Sequence, residues 1–339
     1  MARSSAAEIR LEAAAAAKRL HRKLGLQERV TKGSGLIDVF DVIAELNIPL
    51  MFKPLDSALG LCLPKPLRGI LVTTRRGIHI QRFTAAHELG HVVLDHRGSV
   101  DTDILERGPL SPTSGRDPQE IAADAFAAEF LLPRWLYRHH IQTQGWTVSG
   151  HMRNPDIVYQ LSLRIGASYE ATCWGLLSHQ ILPRGETDAL RKVSVATLKS
   201  RMGETFKPGN SWADVWRVTN RDDGRTIIGN PDDLIRVELD EASGSGFQWD
   251  AEALRQAGYE VLSDTSKFDR DPPVYGAPAK RVLITRPAGQ GKSALTLRET
   301  QPWRTVEPAD PTFSIALELN GAEQGGFSRA DQRRRGAQP

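Results

Sequence analysis

The 339-residue sequence holds only two cysteines, Cys62 and Cys173, far apart in the chain. That excludes a disulfide framework and a Cys-rich zinc site, and it fits a reducing compartment. No apolar stretch approaches the roughly 18 residues that a bilayer span needs. The alanine run at 13–17 is surrounded by Glu8, Arg10, Glu12 and Lys18, so no secretory h-region forms there. A charge bias is missing as well: 44 basic residues against 41 acidic ones leave +3, too even a balance for a large nucleic-acid surface. These absences predict a cytoplasmic protein with no membrane anchor and no direct nucleic-acid contact. What is present is an ordinary globular composition, 40% hydrophobic and 25% charged, in a chain longer than one core usually serves. Two domains plus linkers are therefore expected.

Along the chain, residues 6–24 are rich in strong helix formers, and residues 36–48 carry apolar side chains at near-helical spacing until Pro49 stops them. Both read as helices. Short apolar runs follow, notably 69–73 and 77–80, which read as strands of a small sheet with a hairpin near 75–77. Helical spacing resumes over 82–95, where Phe83, Ala86, Leu89, Val93 and Leu94 share the pattern. A polar loop at 108–119 precedes another helix from Glu120 to Leu132, ended by Pro133. Helical pattern continues to about Leu177. From about Arg225 to Leu319 the pattern switches to alternating Val, Ile, Leu and Thr between Gly, Pro, Asp and Ser turns, as an all-β sandwich requires.

The chemistry sits in HELGH. His87 and His91 stand four apart, which on a helix stacks two imidazoles on one face, able to converge on one ion. Glu88 is offset by one residue, beside the ion rather than on it, where it can take a proton from water whose acidity the ion has raised. With 9 His and 41 acids in the chain, a chance His-acid-x-x-His is expected about 0.03 times. Glu120 opens the next helix and Asp124 lies one turn on, so one acid can complete the site while the other orients a ligating imidazole. The assignment is metal: His87, His91, Glu120; catalytic base: Glu88; supporting acid: Asp124. One Zn2+ per chain is expected, or Mn2+ in its place. The ordinary reading of Glu120 is a helix-dipole acid and of Asp124 a solvated polar residue, but Asp124 lies in an apolar stretch where a carboxylate needs a partner. His96 reads as a C-terminal cap of the HELGH helix. His79 reads as a strand residue that could face a peptide. Tyr159 and Tyr169 are the candidate oxyanion donors.

Residues 82–96 (RFTAAHELGHVVLDH) and 120–133 (EIAADAFAAEFLLP) resemble the ImmA/IrrE metallopeptidases. The family's Glu-x-x-Ala-Asp/Asn-x-Phe-Ala element is matched by Glu120, Ala123, Asp124, Phe126 and Ala127, and its Leu-Leu-x-Pro ending by Leu131, Leu132 and Pro133 with one residue fewer. Residues 161–178 look like a later helix of that family. The resemblance spans roughly 8–182 and implies a small zincin of the gluzincin type acting on helix-turn-helix transcriptional repressors, in transcription regulation or stress response. Residues 239–249, 274–299 and 300–304 resemble the three loops and strands of the chagasin family of cysteine-peptidase inhibitors, immunoglobulin-like sandwiches. Here Asn-Pro-Thr-Thr-Gly has become the Ala-Ser-Gly-Ser-Gly of 242–246, a loop Gly is Ala279, and the Arg before Pro302 is Gln301. Gly246, Phe247, Trp249, Gly276 and Trp303 remain, residues a sandwich needs for turns and core as much as for inhibition.

The sequence thus predicts an α+β chain in four parts. Residues 1–184 form a mostly helical zincin-like peptidase domain with a small sheet, and 185–224 a connector with one short helix near 195–202. Residues 225–320 form the sandwich, and 321–339 a disordered basic tail. The expected function is intracellular zinc endopeptidase, with the sandwich docking a partner, a substrate or the cleft itself. The alternatives are a zinc-stabilised binding protein without catalysis, or an inhibitor of a cysteine peptidase acting through the C-terminal domain.

Overall fold

The computed structural model describes residues 5–63, 66–96, 99–101, 117–268, 279–287, 289–304 and 310–336. The expected loop residues 108–116 and the 274–278 part of the second inhibitor-like loop, with Gly276, lie outside these described residues.

Helix α1 (Ala6–Lys23) starts with a reciprocal capping box between Ser5 and Glu8 and buries Ala13, Ala16, Ala17 and Leu20. An unanticipated helix, α2 (Leu26–Lys32), follows Gly25 at φ 59°. Asp38 caps α3 (Val39–Glu45) through the amides of Phe40 and Asp41. Three strands come next: β1 (Leu50–Lys53), β2 (Gly60–Leu63) and β3 (Gly69–Thr73). The expected strand at 77–80 is instead the first turn of α4 (Ile78–Val93), begun at Gly77. The turn is fixed by Gln81, whose side-chain amide donates to the Thr73 carbonyl over 3.1 Å, so the chain winds into the helix directly behind β3. The hairpin lies earlier, between β2 and β3.

Strand β4 (Ser99–Asp101) pairs with β2, and α5 (Pro118–Leu131) then packs on both α1 and α4. Helices α6 (Arg134–Thr143), α7 (Pro155–Ile165), α8 (Tyr169–Ser178), α9 (Arg184–Arg191) and α10 (Val195–Gly203) complete the helical part. The stretch expected as connector therefore contains two helices. It also contains β5 (Val215–Thr219), which pairs in parallel with β7 and is the edge of a sandwich sheet. Alternation in 215–219 is short, and it was hidden among charged neighbours.

The sandwich strands are β6 (Thr226–Gly229), β7 (Leu234–Glu241), β8 (Gln248–Trp249), β9 (Glu260–Phe268), β10 (Ala279–Arg286), β11 (Gly291–Thr300) and β12 (Thr312–Leu319), with a short α11 (Glu252–Gln256) before β9. One sheet runs β5-β7-β10-β9 and the other β6-β12-β11-β8. Leu295 and Leu297 of β11 and Phe313, Ile315 and Leu317 of β12 turn inward with period two, as do Val237 and Leu239 of β7. A continuous apolar core runs from the helices into this sandwich.

The segment expected as a disordered tail is ordered from 321 to 336. β13 (Gly326–Phe327) adds antiparallel to β1, giving the N-terminal sheet the order β13-β1-β3-β2-β4, and α12 (Arg329–Gly336) packs on α3. Composition misled because the segment stabilises itself through backbone pairing and ion pairs rather than apolar burial: Arg329 binds Glu323 at 3.0 Å, and Gln81 accepts from the Glu323 amide at 2.7 Å.

Two buried histidines tie the helices. His21 Nε2 lies 2.9 Å from the Phe130 carbonyl and His140 Nε2 lies 2.8 Å from the Gly35 carbonyl. Burial holds His21 down at about 4 and His140 at about 3. The unfolded chain takes up these protons first, so the stability they contribute is present above pH 6.5 and is lost as pH falls toward 4 and 3. Thermal melts between pH 7 and 4 should show a steep loss of stability that a His140→Gln variant flattens. An unchanged slope in that variant would sink the assignment.

Candidate metal centre

The site forms where α4 and α5 cross. Gly90 permits the crossing: a Cβ there would sit 3.1 Å from the Phe126 ring and 3.3 Å from the Ala123 Cα. The close approach puts Glu120 and Asp124 of α5 opposite His87 and His91, both almost wholly buried. His87 Nε2 lies 3.2 Å from Glu120 Oε2, His91 Nε2 lies 3.5 Å from Glu120 Oε1, and the two Nε2 atoms are 3.1 Å apart. These three side chains could hold a metal ion, with one ligand atom from each lying within 4.8 Å of the others.

The outer nitrogens are engaged. His87 Nδ1 lies 3.0 Å from Asp124 Oδ1, and His91 Nδ1 lies 3.0 Å from His96 Nδ1. Both inner nitrogens and the Glu120 carboxylate thereby converge on one point, as an ion bound by two imidazoles and a carboxylate requires. Charge agrees. Burial works against an imidazolium, yet hydrogen bonds to Asp124 and Glu120 raise His87 to about 10, while burial and the neighbouring His87 hold His91 down at about 4. The Glu120 and Asp124 carboxylates at 3.2 and 3.0 Å from the His87 ring make the point favourable to a cation. The donor set fits zinc.

His96 is more than the expected cap. The helix ends at Val93, Asp95 takes φ 55°, and the turn brings the His96 ring back onto His91. Its position five residues after His91 was the available signal, because a left-handed Asp or Asn after a helix reverses the chain. Glu88 is fully buried against β2: a Cβ on Gly60 would lie 2.8 Å from Glu88 Oε1 and 2.5 Å from Thr84 Cγ2, so Gly60 leaves the room that Glu88 occupies. Nothing in the sequence pattern pointed to Gly60. The tyrosines are engaged elsewhere. Tyr159 donates to Asp214 at 2.8 Å and accepts from the Val215 amide, and Tyr169 donates to the Leu190 carbonyl at 3.0 Å. His79, in the first turn of α4, lies 3.8 Å from Asp214 at the seam with the sandwich.

Asp124→Ala should weaken metal affinity about 10- to 100-fold while leaving the three ligand side chains in place. Competition against a chelator measures this, and unchanged affinity would remove Asp124 from the site.

In the sandwich, the 243–246 turn and the 301–304 segment touch. Gln301 Nε2 donates to the Ser245 carbonyl at 2.8 Å, and a Cβ on Gly246 would collide with the Trp303 ring. Trp303 remains 73% exposed. No helix among the described residues is long and apolar enough to cross a membrane.

The family model of the IrrE N-terminal-like domain, peptidase M78, matches residues 44–176, and that of the chagasin family of peptidase inhibitors, I42, matches residues 230–317. No curated protein matches the chain. Among solved structures, the cysteine protease inhibitor EhICP2 from Entamoeba histolytica is similar over 31% of this chain and 96% of its own, at 20% identity and a TM-score of 0.27. Amebosin is similar over the same shares, 31% and 96%, at 19% identity and a TM-score of 0.25. The chain therefore carries an IrrE N-terminal-like domain of the M78 peptidase type, followed by a chagasin-family β-sandwich of the peptidase-inhibitor type.

Proposed function

We propose that the protein is a zinc-dependent endopeptidase that cleaves a regulatory protein such as a helix-turn-helix transcriptional repressor. The observation that carries the catalytic part is the convergence of His87, His91 and Glu120 on one point beside the buried Glu88. The ion, when bound, supplies Lewis acidity that brings the ionisation of water toward neutral pH. His87 and His91 give the inner nitrogens, Glu120 a carboxylate oxygen, and Asp124 and His96 hold the two rings in orientation. Glu88 is the general base: its carboxylate takes the proton from the attacking water and passes it to the leaving amine. A peptidase domain joined to an inhibitor-type domain has proteins as partners, and the sandwich serves docking or self-regulation.

The test is co-incubation of the zinc-loaded protein with purified helix-turn-helix repressors. The expected result is discrete cleavage that a chelator abolishes. An intact repressor would reject this substrate, and full zinc occupancy retained in a His87→Ala, His91→Ala double variant would place the metal elsewhere.

A second reading, inhibition of a papain-like cysteine peptidase, is favoured by the exposed Trp303 packed on the Gly246 turn. Titration against papain decides it.

A further inference from the structure

Between α4, the sandwich and the C-terminal segment lies a cavity of about 120 Å³, lined among others by His79, Arg82, Gly166, Asn230 and Asn320. Engineered cavities of roughly 150 Å³ admit a benzene-sized molecule, so the space suits a small ligand and not a peptide. Arg82 is only 6% exposed. Its Nη2 donates to the Ile37 carbonyl, but its Nε has no hydrogen-bond partner among the described residues, and no carboxylate there forms an ion pair with it. The Nδ1 of His79, one helical turn earlier on the same helix, is buried and likewise unpartnered. A buried guanidinium without a counterion is costly and is rarely kept without a function. Burial alone holds Arg82 down at about 10, with the more distant Asp38 charge working the other way.

The carboxylates lining the same cavity already have partners. Asp214 accepts from Tyr159 and pairs with Lys199 at 3.1 Å, Asp233 accepts from the Asp214 and Asn230 amides and the Trp216 indole, and Glu323 pairs with Arg329. Asp38 caps α3, and Glu318 pairs with Lys292 at 2.9 Å. The unmet demand is thus for acceptor oxygens at the Arg82 Nε–H, beside His79 Nδ1, which donates when the ring carries its proton there, its Nε2 lying 3.8 Å from Asp214. Gly166 borders the space at φ 74°, and a Cβ there would meet Arg82 Nη1 at 2.8 Å, so the glycine keeps the guanidinium uncrowded.

We infer that this cavity binds a small oxyanion, a carboxylate or a phosphate, held by Arg82 and His79 at the seam between the two domains. A guanidinium with a free Nε–H presents a donor in the plane that such oxygens accept from. The ligand would tie α4, the helix that bears His87 and His91, to the sandwich loops around Asn230 and Asn320.

The test is thermal denaturation of the zinc-loaded full chain with sodium phosphate or sodium acetate, each at ionic strength matched with sodium chloride. The expected result is a saturable rise in Tm of several degrees with one of the two anions. In Arg82→Lys and His79→Ala the half-saturating concentration should rise at least tenfold. Which anion acts identifies the source. Binding of an anion at the zinc would persist in both variants, because neither residue is a ligand there. His79→Ala, in an open first turn, keeps the test decisive if Arg82→Lys does not fold. No rise beyond that of chloride, or an equal rise in wild type and His79→Ala, overturns the inference.

Discussion

Glu88→Gln should keep its metal and its fold and lose peptide hydrolysis by about 10²- to 10⁴-fold, the range a positioned general base supplies. The amide preserves the volume that Gly60 leaves open, so packing against β2 is unchanged and only the proton acceptor is gone. Metal analysis and turnover on a peptide or protein substrate that the wild type cleaves, measured together, separate the outcomes. Wild-type turnover with full metal would remove Glu88 as the base. Metal loss would mean that the carboxylate is part of the coordination. The comparison with His87→Ala is informative, since that change should abolish both signals.

The candidate site was legible because its spacing is local. His87, Glu88 and His91 lie within one helix, and Glu120 and Asp124 begin the next, so helix periodicity alone fixes which side chains share a face. His96 and Gly60 were not legible as contributors. The first depends on a left-handed turn at Asp95, and the second on how close a strand comes to a helix. In the fold, long periodic segments such as α1 and the strand pair β11 and β12 followed from their patterns. Short elements did not. β5 has five residues, β13 has two, and each owes its conformation to a partner strand distant in sequence. The tail shows the same limit, because its order rests on pairing with β1 and on Gln81, neither of which composition can anticipate.

The seam between the helices and the sandwich should be the site where a single polar substitution costs most stability. Asp222, in the turn after β5, accepts from Arg164 of α7 at 2.9 and 3.1 Å, from Gln144 at 2.7 Å and from the Thr219 amide at 2.9 Å. Both charged side chains are buried, 8% exposed for Arg164 and 5% for Asp222. Asp222→Ala leaves the Arg164 charge uncompensated in a low-dielectric seam, which costs about 3–5 kcal/mol. Melting should fall by on the order of 10 °C. Arg164→Ala should cost less, since the carboxylate retains Gln144 and the Thr219 amide, and the double variant should recover part of the loss of Asp222→Ala. That recovery separates a stranded charge from simple loss of packing. Loosening the seam also frees β5 from α7, where Gln160 bonds the Val215 carbonyl at 2.8 Å and the Arg217 amide at 2.7 Å. Limited proteolysis of Asp222→Ala should therefore cut between α10 and β5, within 204–214, while the wild type resists there. For the same reason a fragment of residues 225–320 should be less stable than one beginning before β5, because it leaves the β7 edge unpaired. An Asp222→Ala variant that melts and digests like wild type would show that the two halves are held together without this ion pair.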